Sequence, residues 1–487
     1  MIARISLFMA SCAMAAMATA QSVPVEREGR FNGVAVRYAV DTAPVTVTTP
    51  AGGARIVGFG YVRKLAKAER QRPVAFLFNG GPIAASLWIH LGVFGPKRVL
   101  APIDLTQGPE AFSLGDNPMS PLDAADLVFV DPADTGFSRR APGTLPGAFA
   151  SVATDADQIA AYIRAWLANH GRSDAPVYLI GESYGTVRIP AVIEQLAKGS
   201  SPVTVDGAVL LGQAVNIVEY SQRPANVVSY GVSLPTLSAI AWYHRRIDRR
   251  GRSLAAVIAE AHRYAEEIYL PALYRGRDLP DDQRRTIAAR LADLTGIPAD
   301  YYRDHDLRIT KEQFRVALLR DRQLLIGRND ARYIAPITDR GGAPDPSDVI
   351  VAGFDRLWAA YLRDDLKVTS DVPYIPLAEV KGLEAWNWGG SSPFSDWRYA
   401  APVTAQFARN PRFRVIIANG IFDTQTTIGA ADYLRRQSGW PAARTAYRAY
   451  GGGHMAYTDP DAARAIAADV HALLTSAPLR PGRLGEP

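Results

Sequence analysis

The sequence predicts an α/β fold: one central, mostly parallel sheet with helices on both faces, interrupted late in the chain by a long helical insertion. Three observations predict it. Short β-rich apolar runs alternate with longer helical patterns from about residue 55. After residue 213 the strand signals stop, and from 233 to about 375 helical, Arg-rich sequence with Pro breaks takes over. Strand pattern then returns near residue 413.

Taken in order, the chain begins with "MIARISLFMASCAMAAMATAQ". One basic residue, a short apolar stretch and Ala18-Thr19-Ala20 before Gln21 are the marks of a signal peptide over residues 1–20, so export to the periplasm or the exterior is expected. The only cysteine, Cys12, lies inside it, leaving the mature chain to hold together by packing without thiols. No later run is long and apolar enough to span a bilayer. The next runs, "RIVGFGYV", "VAFLFN", "DLVFVD", "PVYLIG" and "DGAVLLG", read as strands. Between them "DADQIAAYIRAWLANHG" puts Ile159, Ile163, Trp166 and Leu167 at helical spacing, which is a core face. "FRVIIANG" and "TAYRAY" supply two late strands, each followed by a helix candidate, and the tail "PLRPGRLGEP" reads as a disordered end. The expected organisation is therefore a core of residues 21–214 and 376–487 with a helical cap insertion over 215–375. A formal net charge of +6 is scattered among nearly as many acids, and the run "HRRIDRRGR" reads as a solvated helix end. No nucleic-acid partner is assigned.

Chemistry enters where the strand "VYLI" runs into "GESYG" and then into a helical pattern. G-x-S-x-G between strand and helix is a nucleophile elbow, in which Gly181 and Gly185 keep a tight turn free of side chains while Ser183 sits at its tip. A serine at its free pKa is a weak nucleophile, so it needs a histidine base and a carboxylate to fix that histidine's tautomer. Asp423 follows the strand "FRVIIA", and His454 follows "TAYRAY" and three glycines. The order Ser, Asp, His is the one this strand–turn–helix context requires. The other histidines, His90, His170, His244, His262, His305 and His471, fall within or at the ends of helical patterns. An oxyanion hole needs the N–H after the nucleophile, here Tyr184, and one from a loop after an earlier strand. "FNGGP" stands at that place, with glycines that let main-chain donors approach. No metal or cofactor is called for.

With these residues in hand, the sequence resembles the serine carboxypeptidase family, a branch of the α/β-hydrolases. "NGGP" with Ser86 and Gly95-Pro96, "NPMS…DLVFVDPADTGFS", "GESYG", the Asp423 loop and "GGGHM" occur in family order from about residue 74 to 460. The resemblance implies an α/β-hydrolase fold with a helical cap, Ser183, Asp423 and His454 as the triad, and Gly81 and Tyr184 as oxyanion donors. It also implies Asn79, Gly80, Glu182 and Met455 as substrate contacts.

Two positions depart from the family pattern. Ile83 stands where the family writes the last glycine of N-G-G-P-G; a β-branched residue resists positive φ, so the turn is reshaped or never needs that conformation. Val93 stands where many members carry a glutamate that pairs with that of G-E-S-Y, which leaves Glu182 expected without its partner and acid-favoured carboxylate binding expected to disappear. The expected function is a secreted serine carboxypeptidase acting on peptides or small acyl substrates. The alternatives on the same scaffold are an esterase, amidase or acyltransferase, or a binding module without turnover. Oligomeric state is not legible.

Overall fold

The computed structural model describes residues 25–487 apart from 65–70, 250, 338–344, 379–384, 391–398, 483 and 485–487. The expected signal peptide and Cys12 lie outside the described residues. Nine strands form the main path of the sheet: β1 Val25–Phe31, β2 Val34–Asp41, β3 Gly52–Arg63, β4 Val74–Phe78, β5 Asp126–Asp131, β6 Val177–Glu182, β7 Val205–Leu211, β8 Arg414–Gly420 and β9 Thr445–Tyr450. Their order across the sheet is β1-β2-β3-β5-β4-β6-β7-β8-β9. From β5 to β9 every pairing is parallel, while β1, β2 and β3 join antiparallel at one side. All the strands read from the sequence after residue 55 are present.

Burial on two faces explains why the central strands are continuous apolar runs. Successive side chains point to opposite faces. Phe76, Val128, Leu179, Leu210 and Ile417 pack on one side with helix α1, Val152–Asn169, and helix α2, Gly185–Leu196. Leu77, Phe129, Ile180, Val209 and Ile416 pack on the other with residues 87–94 and the C-terminal helix Pro460–Leu474.

Several elements depart from the sequence reading. β1 and β2 form a hairpin that the sequence reading did not include; its signal is Asn32-Gly33, both at positive φ as a tight hairpin turn demands. The tail is not a free end over its described residues. Tyr447 N–H donates to Pro481 O at 2.6 Å and Arg448 Nη1 to Arg480 O at 2.8 Å, so the segment covers β9, the edge strand whose donors would otherwise be open. Between β7 and β8 the chain is mostly helical, with a small hairpin of Leu324–Ile326 and Ile334–Pro336 whose strands are too short to read. Helices Leu234–Tyr243, Leu254–Tyr264 and Asp281–Thr295 continue the core on the α1 side. Helix Asp348–Ala360 instead packs on the opposite face, where Trp358 meets Phe59 and His90 edge to face.

Candidate active site

Ser183 lies at the turn between β6 and α2 with φ +57°. A non-glycine residue in that region carries a conformational cost of order 1–3 kcal/mol, which the surroundings must hold in place. They do so from two directions. Ser183 N–H donates to Leu211 O at 2.9 Å, and Ser183 O accepts from Thr186 Oγ1 at 2.7 Å. The turn closes only because Gly181 and Gly185 are bare: a Cβ on Gly181 would stand 2.5 Å from Gly185 O.

His454 and Asp423 come from the loops after β9 and β8, two strands that pair directly. His454 Nδ1 and Asp423 Oδ2 are 2.7 Å apart, and Asp423 is fully buried. The carboxylate is held by Gln425 N–H on Oδ1 at 2.7 Å and by Thr426 Oγ1 on Oδ2 at 2.5 Å. Burial opposes protonation of His454, but the charge of Asp423 and its hydrogen bond outweigh it, with Glu182 adding to them, so the imidazole's pKa is raised above 6.5. Gly212, which follows the carbonyl that holds Ser183, abuts the imidazole: a Cβ there would lie 3.1 Å from His454 Cε1. Ser183, Asp423 and His454 thus gather at the carboxyl ends of the parallel strands, where open α/β sheets place their ligands. None of the other six histidines lies in this cluster. His90, for example, is buried in the core and bonded to Tyr61 at 2.7 Å.

The loop "NGGP" meets the elbow. A Cβ on Gly80 would stand 2.5 Å from Tyr184 N and 2.8 Å from Ser183 Cβ, which is why that position is glycine. Gly81 takes φ +103°. Ile83 is not among the residues at positive φ, so the turn as built here does not use that conformation at 83. Its carbonyl accepts from Ala378 N–H at 3.0 Å, and the next residue forms a bridge with Leu377.

A strut not foreseen from sequence locks this loop. Arg188, fully buried on α2, donates to Asn79 O at 2.7 Å and to Pro82 O at 3.1 Å. Its Nε pairs with Asp155 of α1 at 2.7 Å, and Tyr184 O–H donates to the same carboxylate at 3.1 Å. The signal was an arginine amid "TVRIP", at a core position of a helix whose face must be apolar unless the charge is paired.

With the buried Val93 in place of an acid, Glu182 is held by two neutral groups instead: Tyr457 O–H donates to its Oε2 at 2.9 Å and Asn79 Nδ2 donates to the same oxygen. Asn79 in turn accepts from Ile89 N–H at 2.9 Å. The Tyr457 ring lies over Gly92, where a Cβ would collide with it, in the turn that also carries the buried Val93. Burial raises the Glu182 pKa to about 7, against the lowering effects of His454, Tyr457 and Asn79. Its second oxygen, Oε1, is buried with no hydrogen-bond partner. Glu182, Tyr457 and His454 border a cavity of about 10 Å³, room for about one water. Met455 is buried in the core, its carbonyl accepting from Thr458.

A parallel sheet with a serine on such an elbow and a histidine–aspartate pair on its last two loops is the α/β-hydrolase fold, the class to which the protein belongs. Within that class, residues 59–242 match the family model described as Serine carboxypeptidase, the family the motifs resemble. Among curated proteins, Serine carboxypeptidase-like 9 of Arabidopsis thaliana is 27% identical over 183 residues, covering 36% of this chain and 40% of the relative. Serine carboxypeptidase-like 10 of the same plant is 23% identical over 224 residues, covering 43% and 50%. The chain thus spans half or less of the length of these relatives. In structure it is similar to the prohormone-processing carboxypeptidase KEX1(delta)p of Saccharomyces cerevisiae, at 13% identity and TM-score 0.51 over 90% of this chain and 91% of that one, a likeness of fold.

Proposed function

We propose that the protein is an exported serine carboxypeptidase that releases C-terminal residues from peptides through an acyl-enzyme. The observation that carries this reading is Ser183 at φ +57° on a G-E-S-Y-G elbow, together with a histidine–aspartate pair whose carboxylate is fully buried. Ser183 Oγ attacks the carbonyl of the last peptide bond while His454 takes its proton. The N–H groups of Gly81 and Tyr184 bind the developing oxyanion, which pre-set donors stabilise without reorganising. His454 then gives its proton to the leaving amine, and a water, activated by the same imidazole, frees the acyl group.

Asn79 and Glu182 take the substrate's free carboxylate. A neutral Glu182 is a donor toward an anion, and its unpartnered oxygen is the group available for it. The insertion of residues 215–375 acts as a cap over the cleft, and the apolar cluster of Ile83, Tyr184, Tyr220, Trp386 and Trp388 forms a wall for the acyl side chain. The signal sequence read at residues 1–20 supports export. The test is labelling with a fluorophosphonate followed by a panel of peptide and ester substrates. Modification of Ser183 alone, lost in Ser183→Ala, with cleavage of free-acid peptides, is expected. Undiminished labelling of Ser183→Ala would remove the assignment.

A further inference from the structure

Beside the Asp423–His454 pair, the insertion delivers a cation that the proposed triad does not use. Lys311 Nζ donates to Gln425 O at 2.8 Å, two residues from Asp423, and stands 5.2 Å over the ring of Tyr220. Tyr220 belongs to the same apolar cluster as Tyr184, the residue after the nucleophile. The ammonium is therefore placed between that wall and the acid–base pair. Neither nearby carboxylate is free to neutralise it: Asp423 is engaged by His454, Gln425 and Thr426, and Glu312 pairs with Arg315 and Arg328. Lys311 is half-buried with no ion pair among the described residues, and the loss of solvent lowers its pKa to about 8 against the pull of Asp423 and Glu312. A second donor is held by the backbone of the same residue. Lys311 N–H donates to Gln222 Oε1 at 2.7 Å, and the other end of that carboxamide, Nε2, is buried with no partner. An ammonium with donors to spare and an orphaned N–H₂ group are the complement of a carboxylate.

We propose that Lys311 and Gln222 form a carboxylate-binding subsite of the substrate cleft. This rests on the hydrolase reading above and adds to it a preference for acidic substrates. The carboxylate expected there is an acidic side chain on the residue that donates the acyl group, since the substrate's C-terminus is assigned above to Asn79 and Glu182; a Lys311-dependent preference for the free C-terminus would instead move that assignment to this subsite.

The Ser183→Ala protein, which binds without turnover, separates these sources. Its affinity is measured for four N-acetylated peptides that carry Glu or Gln at the acyl-donating residue and end in a free acid or an amide. The expected result is that one carboxylate-bearing member binds about ten- to hundredfold tighter than its neutral counterpart, the worth of a charge-assisted hydrogen bond. The pair that shows the difference identifies the source. Lys311→Met should erase the difference, and Lys311→Arg should keep most of it. Gln222→Glu, which leaves the lysine in place but supplies an internal carboxylate, should also erase it. A preference unmoved by Lys311→Met and Gln222→Glu, equal weakening of all four ligands, or no preference at all would overturn the subsite. If the wild-type protein cleaves none of these peptides while the Lys311-dependent preference persists, the carboxypeptidase reading fails and the subsite stands.

Discussion

Glu182→Gln is the substitution that tests most about the proposed cleft. Gln keeps the shape and can still accept from Tyr457 and Asn79, but it cannot ionise. In the wild-type protein Glu182 holds its proton to about pH 7, because burial disfavours the anion. Below that pH it can donate to a substrate carboxylate; above it two like charges face each other. At about 4 Å and an effective dielectric constant near 20, that repulsion is of order 4 kcal/mol. The ratio of kcat/KM for a free-acid peptide to that for its amide should therefore be constant below about pH 6 and fall by up to about tenfold per pH unit above 7. In Glu182→Gln the ratio should not vary with pH. Folding stability supplies a second reading. The folded-state pKa lies above the usual 4.5, so ionising Glu182 withdraws stability as pH rises from 4.5 to 7. Glu182→Gln should consequently gain up to about 3 kcal/mol over wild type at pH 8, measured by urea unfolding, relative to the difference at pH 4. A wild-type ratio that stays flat from pH 5 to 9, or one that keeps its slope in Glu182→Gln, would refute the assignment of carboxylate binding to this residue.

Tyr457→Phe removes a donor to the Glu182 carboxylate, so the break in the acid-to-amide ratio should move to higher pH; an unchanged or lower break would separate the two residues. His454→Ala should lower kcat by several orders of magnitude, and Asp423→Asn by fewer; near-wild-type turnover of His454→Ala would point to another base. Because Asp423 raises the His454 pKa and a base must be neutral, the rising limb of the pH–rate profile should be centred above 6.5, and below the wild-type position in Asp423→Asn. Arg188→Met strands the buried Asp155 and should cost about 3–5 kcal/mol in chemical denaturation; a loss under 1 kcal/mol would remove the strut.

What could be read from the sequence followed the strength of each local signal. β4 to β9 and α1 announced themselves because burial on both faces forces uninterrupted apolar runs or clean helical spacing. The elbow, the Asp423 loop and the His454 loop were legible because their chemistry admits few residue types and their order along the chain is constrained. β1 and β2 were missed because consecutive charges at Glu26, Arg27 and Glu28 break the apolar alternation that marks a half-buried strand. The partners of Glu182 were missed for a different reason. Tyr457 lies 275 residues away along the chain, and nothing local in "HMAYTD" says that its hydroxyl turns inward. The same holds for Lys311, whose nearness to Asp423 is made only by the path of the insertion.

One feature of that path bears on how the protein can be changed. His454 N–H donates to Asn329 O at 2.5 Å, Gln425 Nε2 reaches Asn329 Oδ1, Thr424 Oγ1 donates to Arg328 O at 2.9 Å and Ala331 N–H donates to Phe422 O at 3.0 Å. Residues 328–331 therefore clamp both loops that carry the acid–base pair. Chimeras that graft a foreign insertion onto this scaffold would have to carry these four residues with the recipient, not the donor, or the imidazole would lose its backbone anchor. Thermal softening of the segment between β7 and β8 should likewise silence turnover before the sheet itself melts.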